Sequence, residues 1–156
     1  MQRRIVGVSL ATLFVVATFA LTARPADADA AFGGRIGGSI DPDGFVIGVH
    51  ADIGPLAPNF YITPSVDFGF GDITTFTING DAKYMFMAGQ DTRPYIGAGL
   101  TYASYDVEGG SADEFGLTIL GGVQFKDTSS KPLFLEGRLG LGDLPEFRIL
   151  GGITFR

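Results

Sequence analysis

The sequence contains 156 residues, which is enough for one domain. Its hydrophobic content of 46% and mean hydropathy of +0.27 are high for a protein that stays dissolved. The formal net charge of −6 argues against nucleic-acid binding, because phosphate backbones require a basic surface. The chain has no cysteine, which excludes a disulfide framework, a thiolate metal site and a lipid-modified cysteine anchor.

The beginning of the chain has the organisation of a secretory signal peptide. Two arginines precede an uncharged apolar run over residues 5–21, and small residues follow up to Ala28-Asp29-Ala30. This order predicts export and cleavage after residue 30, with Ala26-Asp27-Ala28 as a second possible site. A retained transmembrane anchor is the alternative, because the apolar run is close to the minimum spanning length. We therefore predict a cleaved signal peptide over residues 1–30 and one mature domain over residues 31–156.

The mature part is predicted to consist of strands alone. Apolar residues recur at period two in every segment, and no segment keeps a helical period for long. Clusters of turn-forming residues, among them those at 54–59 and 107–113, divide the chain into eight strands. Most of these strands are long enough for the roughly 9–11 residues that a tilted strand needs to cross a bilayer. The predicted strands are approximately Phe32–Ile40, Phe45–Ile53, Phe60–Phe70, Thr75–Met87, Pro94–Asp106, Phe115–Lys126, Leu133–Gly142 and Phe147–Arg156.

The period-two alternation sorts each strand into an apolar face without charges and a polar face rich in Gly, Ser and Thr. Basic and acidic residues balance on the polar face, which is typical of a narrow lumen. An eight-stranded barrel has room inside only for side chains, and buried charges must pair with one another. The sequence therefore predicts a lumen ionic network of Arg35, His50, Asp52, Asp67, Asp81, Lys83, Glu136, Arg138 and Arg148.

Aromatic residues of the apolar face gather at the strand ends and form two belts, as membrane interfaces favour. One belt contains Phe32, Phe60, Phe86, Phe125 and Phe155, and the other contains Phe45, Phe70, Phe76, Tyr102, Phe115 and Phe147. The predicted fold is an all-β, eight-stranded antiparallel up-and-down transmembrane β-barrel without an open pore. The alternative is a secreted soluble barrel of the lipocalin type, which would hold a hydrophobic ligand in an apolar interior.

Three segments carry a resemblance to a known family: Pro94–Tyr102, Phe134–Arg138 and Gly151–Arg156. They resemble strands of the small OmpA/OmpX-type outer-membrane β-barrel family. The resemblance implies a monomer in the cell outer membrane of a Gram-negative envelope, in contact with membrane lipids and lipopolysaccharide. It also implies insertion by the barrel assembly machinery, which reads a terminal aromatic residue in this family; here Arg156 follows Phe155. We expect a structural or surface-interaction role.

Acidic residues gather in the breaks that face the exterior if the first strand enters from the periplasm. These residues are Asp41, Asp43, Asp72, Asp106, Glu108, Asp113, Glu114, Asp143 and Glu146. One hypothesis is that part of this rim binds Mg²⁺ or Ca²⁺, which prefer oxygen ligands, and bridges the barrel to lipopolysaccharide phosphates. The weak candidates for metal ligands are Asp106, Glu108, Asp113 and Glu114. The alternative, which we favour, is that aspartate is a good turn residue and that no metal is bound.

A lipid A-modifying enzyme is the catalytic alternative, and His50 is the single histidine that could act as its base. If Ile40 and Phe45 pair across the first turn, His50 lies near Arg35. This neighbour offers no nucleophile and disfavours a protonated imidazole. We therefore predict a structural place for His50 in the lumen, no catalytic residues, no cofactor and no enzymatic activity.

Overall fold

The computed structural model describes residues 29–86, 91–126, 131–145 and 147–155. The predicted signal peptide therefore lies almost entirely outside the described residues and stays a prediction. Within the described ranges, no helix is long and apolar enough to span a membrane.

Eight antiparallel strands close into one barrel, in which each strand pairs with its neighbours along the chain and β8 pairs with β1. Closure gives every strand a partner on both sides, as hydrocarbon surroundings require of backbone N–H and C=O groups. The predicted eight-stranded, up-and-down transmembrane barrel is therefore confirmed. The strands are β1 Asp29–Ile40, β2 Gly44–Ala57, β3 Phe60–Gly71, β4 Thr74–Met85, β5 Thr92–Val107, β6 Gly110–Phe125, β7 Leu133–Gly140 and β8 Phe147–Phe155.

Two predicted breaks are much shorter in the structure. Strand β2 continues through Gly54 and Pro55 to residue 57, and a register shift between Ile53 and Ala57 absorbs the irregularity as a β-bulge. Strands β5 and β6 pair without interruption up to a two-residue turn, in which Gly109 has a φ of +100°. Glycine adopts this backbone conformation without steric cost. Breaker residues within both segments are thus accommodated inside strands, by a bulge in β2 and by uninterrupted pairing of β5 with β6.

The burial of side chains alternates along every strand: most apolar residues lie outside, and the polar residues lie inside together with some apolar ones such as Leu120, Phe134 and Leu150. Large hydrophobic side chains of the outer face are about half exposed, and Phe115 reaches 69%. The aromatic belts are confirmed as cross-strand neighbours, such as Phe32 with Phe155 at one end and Phe45 with Phe70 at the other. Because the apolar side chains face outward and the charged ones inward, the alternative of a soluble barrel with an apolar interior is excluded.

Glycines on the inner face make room for the lumen side chains. A Cβ atom added to Gly99 would collide with the carboxylate of Asp81 and approach the carbonyl oxygen of Gly80 within 2.5 Å. Gly80 itself faces outward on the neighbouring strand, and a Cβ atom there would meet no atom within 4 Å. Alanine substitutions at the two glycines therefore form a matched pair. They separate the effect of crowding in the lumen from the effect of a substitution on the backbone.

We expect the substitution Gly99→Ala to lower the free energy of unfolding by about 1–3 kcal/mol, because the added methyl group overpacks the lumen. The control Gly80→Ala should be neutral or should stabilise by roughly 0.4–1 kcal/mol, since it restricts the unfolded chain. Urea unfolding of both variants in lipid vesicles measures the difference. Equal effects at the two positions would contradict a tightly filled lumen.

Candidate functional site

All of the residues predicted to line the lumen lie inside the barrel, and none is more than 9% exposed. They come from six of the eight strands, and each occupies an inward position of the period-two alternation. In strand order they are Arg35 on β1, His50 and Asp52 on β2, Asp67 on β3, Asp81 and Lys83 on β4, Glu136 and Arg138 on β7, and Arg148 on β8.

Glu136 is the centre of the ionic network and is fully buried. Its carboxylate accepts hydrogen bonds from the Tyr95 hydroxyl at 2.8 Å and from Nη1 of Arg138 at 2.9 Å. The Lys83 ammonium lies 2.9 Å away, and Nη1 of Arg35 lies at 3.8 Å. One carboxylate thus connects β7 with β1, β4 and β5 across the lumen.

Two arginine–aspartate pairs lie beside this centre, each with two parallel hydrogen bonds. Arg35 donates from Nε and Nη2 to the two carboxylate oxygens of Asp67, at 2.7 and 2.6 Å. Arg138 donates from its two terminal nitrogens to Asp81, at 2.8 and 2.9 Å. Bidentate pairs of this kind are the strongest and most directional ion pairs in proteins. They fix the positions of four charges that water does not solvate.

Two charges of the lumen lack such partners. The guanidinium of Arg148 reaches Asp67 only at 3.4 Å and Thr77 at 3.3 Å, and its Nε has no partner within the described chain. Asp52 accepts one hydrogen bond, from the Thr63 hydroxyl at 2.8 Å, and no described cation lies within ion-pair distance of it. The charges therefore balance in number but are not all matched pairwise.

Uncharged polar side chains complete the network; those of the Ser- and Thr-rich polar face were predicted, but Thr101 was missed. Asn79 donates to Ser65 at 3.2 Å and accepts from Thr101 at 2.8 Å, and Thr101 also contacts Thr118 at 2.8 Å. The phenol of Tyr95 was missed as well, although its odd position in β5 places it on the inner face with Thr101. The alternation in β5 was the available signal.

His50 lies in the lumen as predicted, but its cross-strand partner differs from the predicted one by two residues. The first hairpin pairs Gly38 with Phe45. His50 is therefore opposite Gly33, and Arg35 is opposite Gly48. The last pair is Ser39 with Gly44, so the four-residue turn lies one residue earlier than we assumed, and every cross-strand partner is displaced by two residues. The imidazole of His50 instead contacts residues of β7 and β8.

The contacts of the imidazole are those of a packed side chain. Nε2 of His50 lies 3.1 Å from the hydroxyl of Thr154, and the ring meets that of Phe134 edge-on with 5.1 Å between centroids. Nδ1 has no partner among the described residues, so no carboxylate orients the ring. A nucleophile–base–acid arrangement requires that third contact.

The weak metal candidates do not come together. Asp106 and Asp113 occupy outward positions of the β5–β6 hairpin, whereas Glu114 occupies an inward position opposite Ala103. Glu108 lies in the turn. Among the described residues, no group of three or more His, Asp or Glu side chains could hold a metal ion. The structure therefore does not bring these four residues together in one cation site.

Apolar clusters close the lumen above and below the ionic network. At the end of the barrel where β1 begins, one cluster consists of Tyr61, Met85, Tyr95 and Leu120. At the opposite end the cluster contains Ala103, Tyr105 and Leu144, with Ile73 packed against it. Side chains thus fill the barrel along its length.

No protein-family model matches the sequence, and neither does any curated protein sequence. Solved structures do match. The N-terminal β-barrel domain of Pseudomonas aeruginosa OprF superposes with a TM-score of 0.63 at 18% identity, over 83% of this chain and 96% of that one. Neisserial surface protein A gives 0.57 at 18% identity, over 81% and 94%, and the Yersinia pestis outer membrane protein Ail gives 0.51 at 13% identity, over 82% and 99%.

An apolar outer face, two aromatic belts and a charged, side-chain-filled lumen define a transmembrane β-barrel of eight strands. More particularly, the fold is that of the small OmpA/OmpX-type barrels, as the resemblance of single strands indicated. At these low identities the comparison concerns the fold alone.

Proposed function

We propose that the protein is a bacterial outer-membrane β-barrel with a structural or surface-interaction role, exported by its signal peptide. The observation that carries this proposal is the outer face, which exposes aliphatic residues between aromatic belts and has its charges turned inward. Such a surface is stable against lipid tails and unstable in water. The solved structures with this fold are described as outer-membrane or surface proteins, which supports the same location.

The filled lumen supports a role other than transport. The network around Glu136 occupies the middle of the barrel, and apolar clusters occupy both ends. Displacing buried, paired charges is costly, so a passage for ions would require breaking several of these contacts at once. We propose that the barrel does not conduct ions as an open pore.

The lumen contacts of His50 support a role other than catalysis. The imidazole is 5% exposed, bonded to a threonine and packed on Phe134, and it does not face the lipid. A lipid A-modifying site must face the bilayer, where its substrate lies. We therefore keep the proposal that the protein is not an enzyme and needs no cofactor.

The apolar belt and the position of the outer turns indicate the partners. The belt fits outer-membrane lipids, and the turns with Asp41, Asp72 and Asp143 lie at the end of the barrel where lipopolysaccharide headgroups would surround it. We propose that the protein is a monomer, that it is inserted by the barrel assembly machinery, and that it does not bind nucleic acid. The proposed interaction at the cell surface would be made by these exposed turns.

The location is tested by fractionation of Gram-negative cells that express the full chain. We expect the protein in the outer-membrane fraction, with a shift in gel mobility after heating, because folded barrels resist detergent until they are boiled. A cysteine introduced at Ser111, in the exposed β5–β6 hairpin, should react with an impermeant thiol reagent on intact cells. Recovery of a folded protein from the soluble periplasmic fraction, without heat-dependent mobility, would contradict the proposal.

A further inference from the structure

The connection between β7 and β8 turns into the mouth of the barrel. Gly142 has a φ of +84°, a left-handed conformation that redirects the chain. The following residue, Asp143, is exposed, but Leu144 is only 5% exposed and Pro145 is buried. The segment 141–145 therefore covers the lumen at the end opposite β1's first residue.

The barrel wall provides a fitted place for this segment. The side chain of Leu144 packs on Ala103 and Tyr105. A Cβ atom at Gly116 would lie 3.0 Å from Cδ1 of Leu144, and one at Gly140 would lie 2.8 Å from its Cβ. Glycine at both positions leaves the space that the leucine fills.

Few contacts hold the segment in place. The Tyr105 hydroxyl donates a hydrogen bond to the carbonyl of Asp143 at 3.0 Å. The last ladder bond of this strand runs from the N–H of Leu141 to the carbonyl of Leu117 at 2.9 Å. Beyond residue 141 the described segment has left the sheet, so the bond to Asp143 and the packing of Leu144 are its main attachments.

A polar cavity lies under the segment. Its volume is about 10 Å³, room for a single water molecule. Pro145 forms part of the wall, as do Arg148 and the hydroxyl-bearing residues Ser39, Thr75 and Thr77. Arg148 is the arginine whose Nε has no partner. The floor of the covered space therefore includes an arginine whose hydrogen-bonding capacity is not fully used by the described residues.

We propose that the segment 141–145 is a lid. When it lifts, water and small polar solutes enter an outer vestibule whose floor is Arg148, while the ionic network below stays closed. The lid has fewer and weaker contacts than the layer around Glu136, which supports this order of opening. Among the described residues, the lid is attached by one neutral hydrogen bond and by the packing of Leu144 and Pro145, whereas the layer around Glu136 is held by several charge-assisted hydrogen bonds. Weakly attached segments open first.

The test uses the absence of cysteine from the natural chain. The variant Ala103→Cys places a thiol directly under the lid, and the variant Thr101→Cys places one deeper on the same strand, where the native side chain contacts Asn79. Both native residues are fully buried. The rate of reaction with a small water-soluble thiol reagent is measured for each folded barrel in lipid vesicles. Heat-dependent gel mobility verifies that each variant is folded.

We expect the thiol at position 103 to react slowly and the thiol at position 101 not to react. Adding Tyr105→Phe should accelerate the reaction at position 103 about fivefold, the change expected when one neutral hydrogen bond is lost. Adding Leu144→Ala instead should accelerate it further, and neither change should expose position 101. An unchanged rate at position 103 in both added variants, or equal rates at positions 101 and 103, would overturn the lid.

Discussion

Replacing Glu136 by glutamine is expected to lower the free energy of unfolding by about 3–5 kcal/mol, as the loss of one member of a buried ionic group does. The amide keeps the shape, but its single oxygen can accept at only one of the two carboxylate positions, so it keeps the hydrogen bond of Tyr95 or that of Arg138 and not both. It removes the negative charge that faces Lys83 and Arg35, so positive charge remains buried without compensation. The expected loss is therefore electrostatic and not a packing defect.

Urea unfolding in lipid vesicles, followed by circular dichroism and gel mobility, measures this effect; the chain has no tryptophan to report it by fluorescence. The matched control is Glu108→Gln in the exposed β5–β6 turn, which should change stability by less than about 0.5 kcal/mol. In a Lys83→Met/Glu136→Gln double variant the loss should be smaller than the sum of the single losses, because the two charges are coupled. If Glu136→Gln behaved like the turn control, the network would contribute nothing to stability.

Placing a lysine on the lipid-facing surface is expected to have the second large effect. Leu100 lies in the middle of β5 on the outer face and is 51% exposed. The substitution Leu100→Lys should cost about 2–4 kcal/mol in a bilayer, because a charged side chain at the midplane must be desolvated or must drag water into the hydrocarbon.

Ile40→Lys is the control for depth, since Ile40 is 57% exposed on the same outer face at the end of β1. Near the interface the ammonium group reaches water, and the cost falls to about 0–1 kcal/mol. The difference between the two variants, measured by unfolding in vesicles, is the signature of a bilayer. Equally small effects at both positions would mean that this face is in water, and the proposed location would be wrong.

The alternation of apolar and polar residues was sufficient to predict the strands, their number and the face of each side chain. Arg35, Asp67 and Glu136 were placed in the lumen on that pattern alone, and the structure places them there. Physical reasons make this possible: side chains of a strand alternate between two faces, and one face of this sheet tolerates no charge.

The pattern could not predict which residues of two strands are opposite each other. The first hairpin differs from our expectation by two residues, and a shift of two leaves every side chain on its own face. The alternation therefore cannot detect this error, and His50 was assigned the wrong cross-strand partner. The sequence also could not predict that Leu144 points into the barrel. A loop residue that fills the end of the lumen belongs to no periodic pattern.

The pairing of β1 with β8 has a consequence for how the barrel forms. Seven of the eight strand pairs are hairpins between consecutive strands, but the last pair joins residues as far apart as Phe32 and Phe155. Closing such a long loop is the entropically expensive step, so it is the slowest contact to form. Until it forms, the sheet has two open edges and an apolar surface on which other copies can aggregate. We expect such a chain to aggregate in water unless its open edges and its apolar surface are covered before it reaches the bilayer.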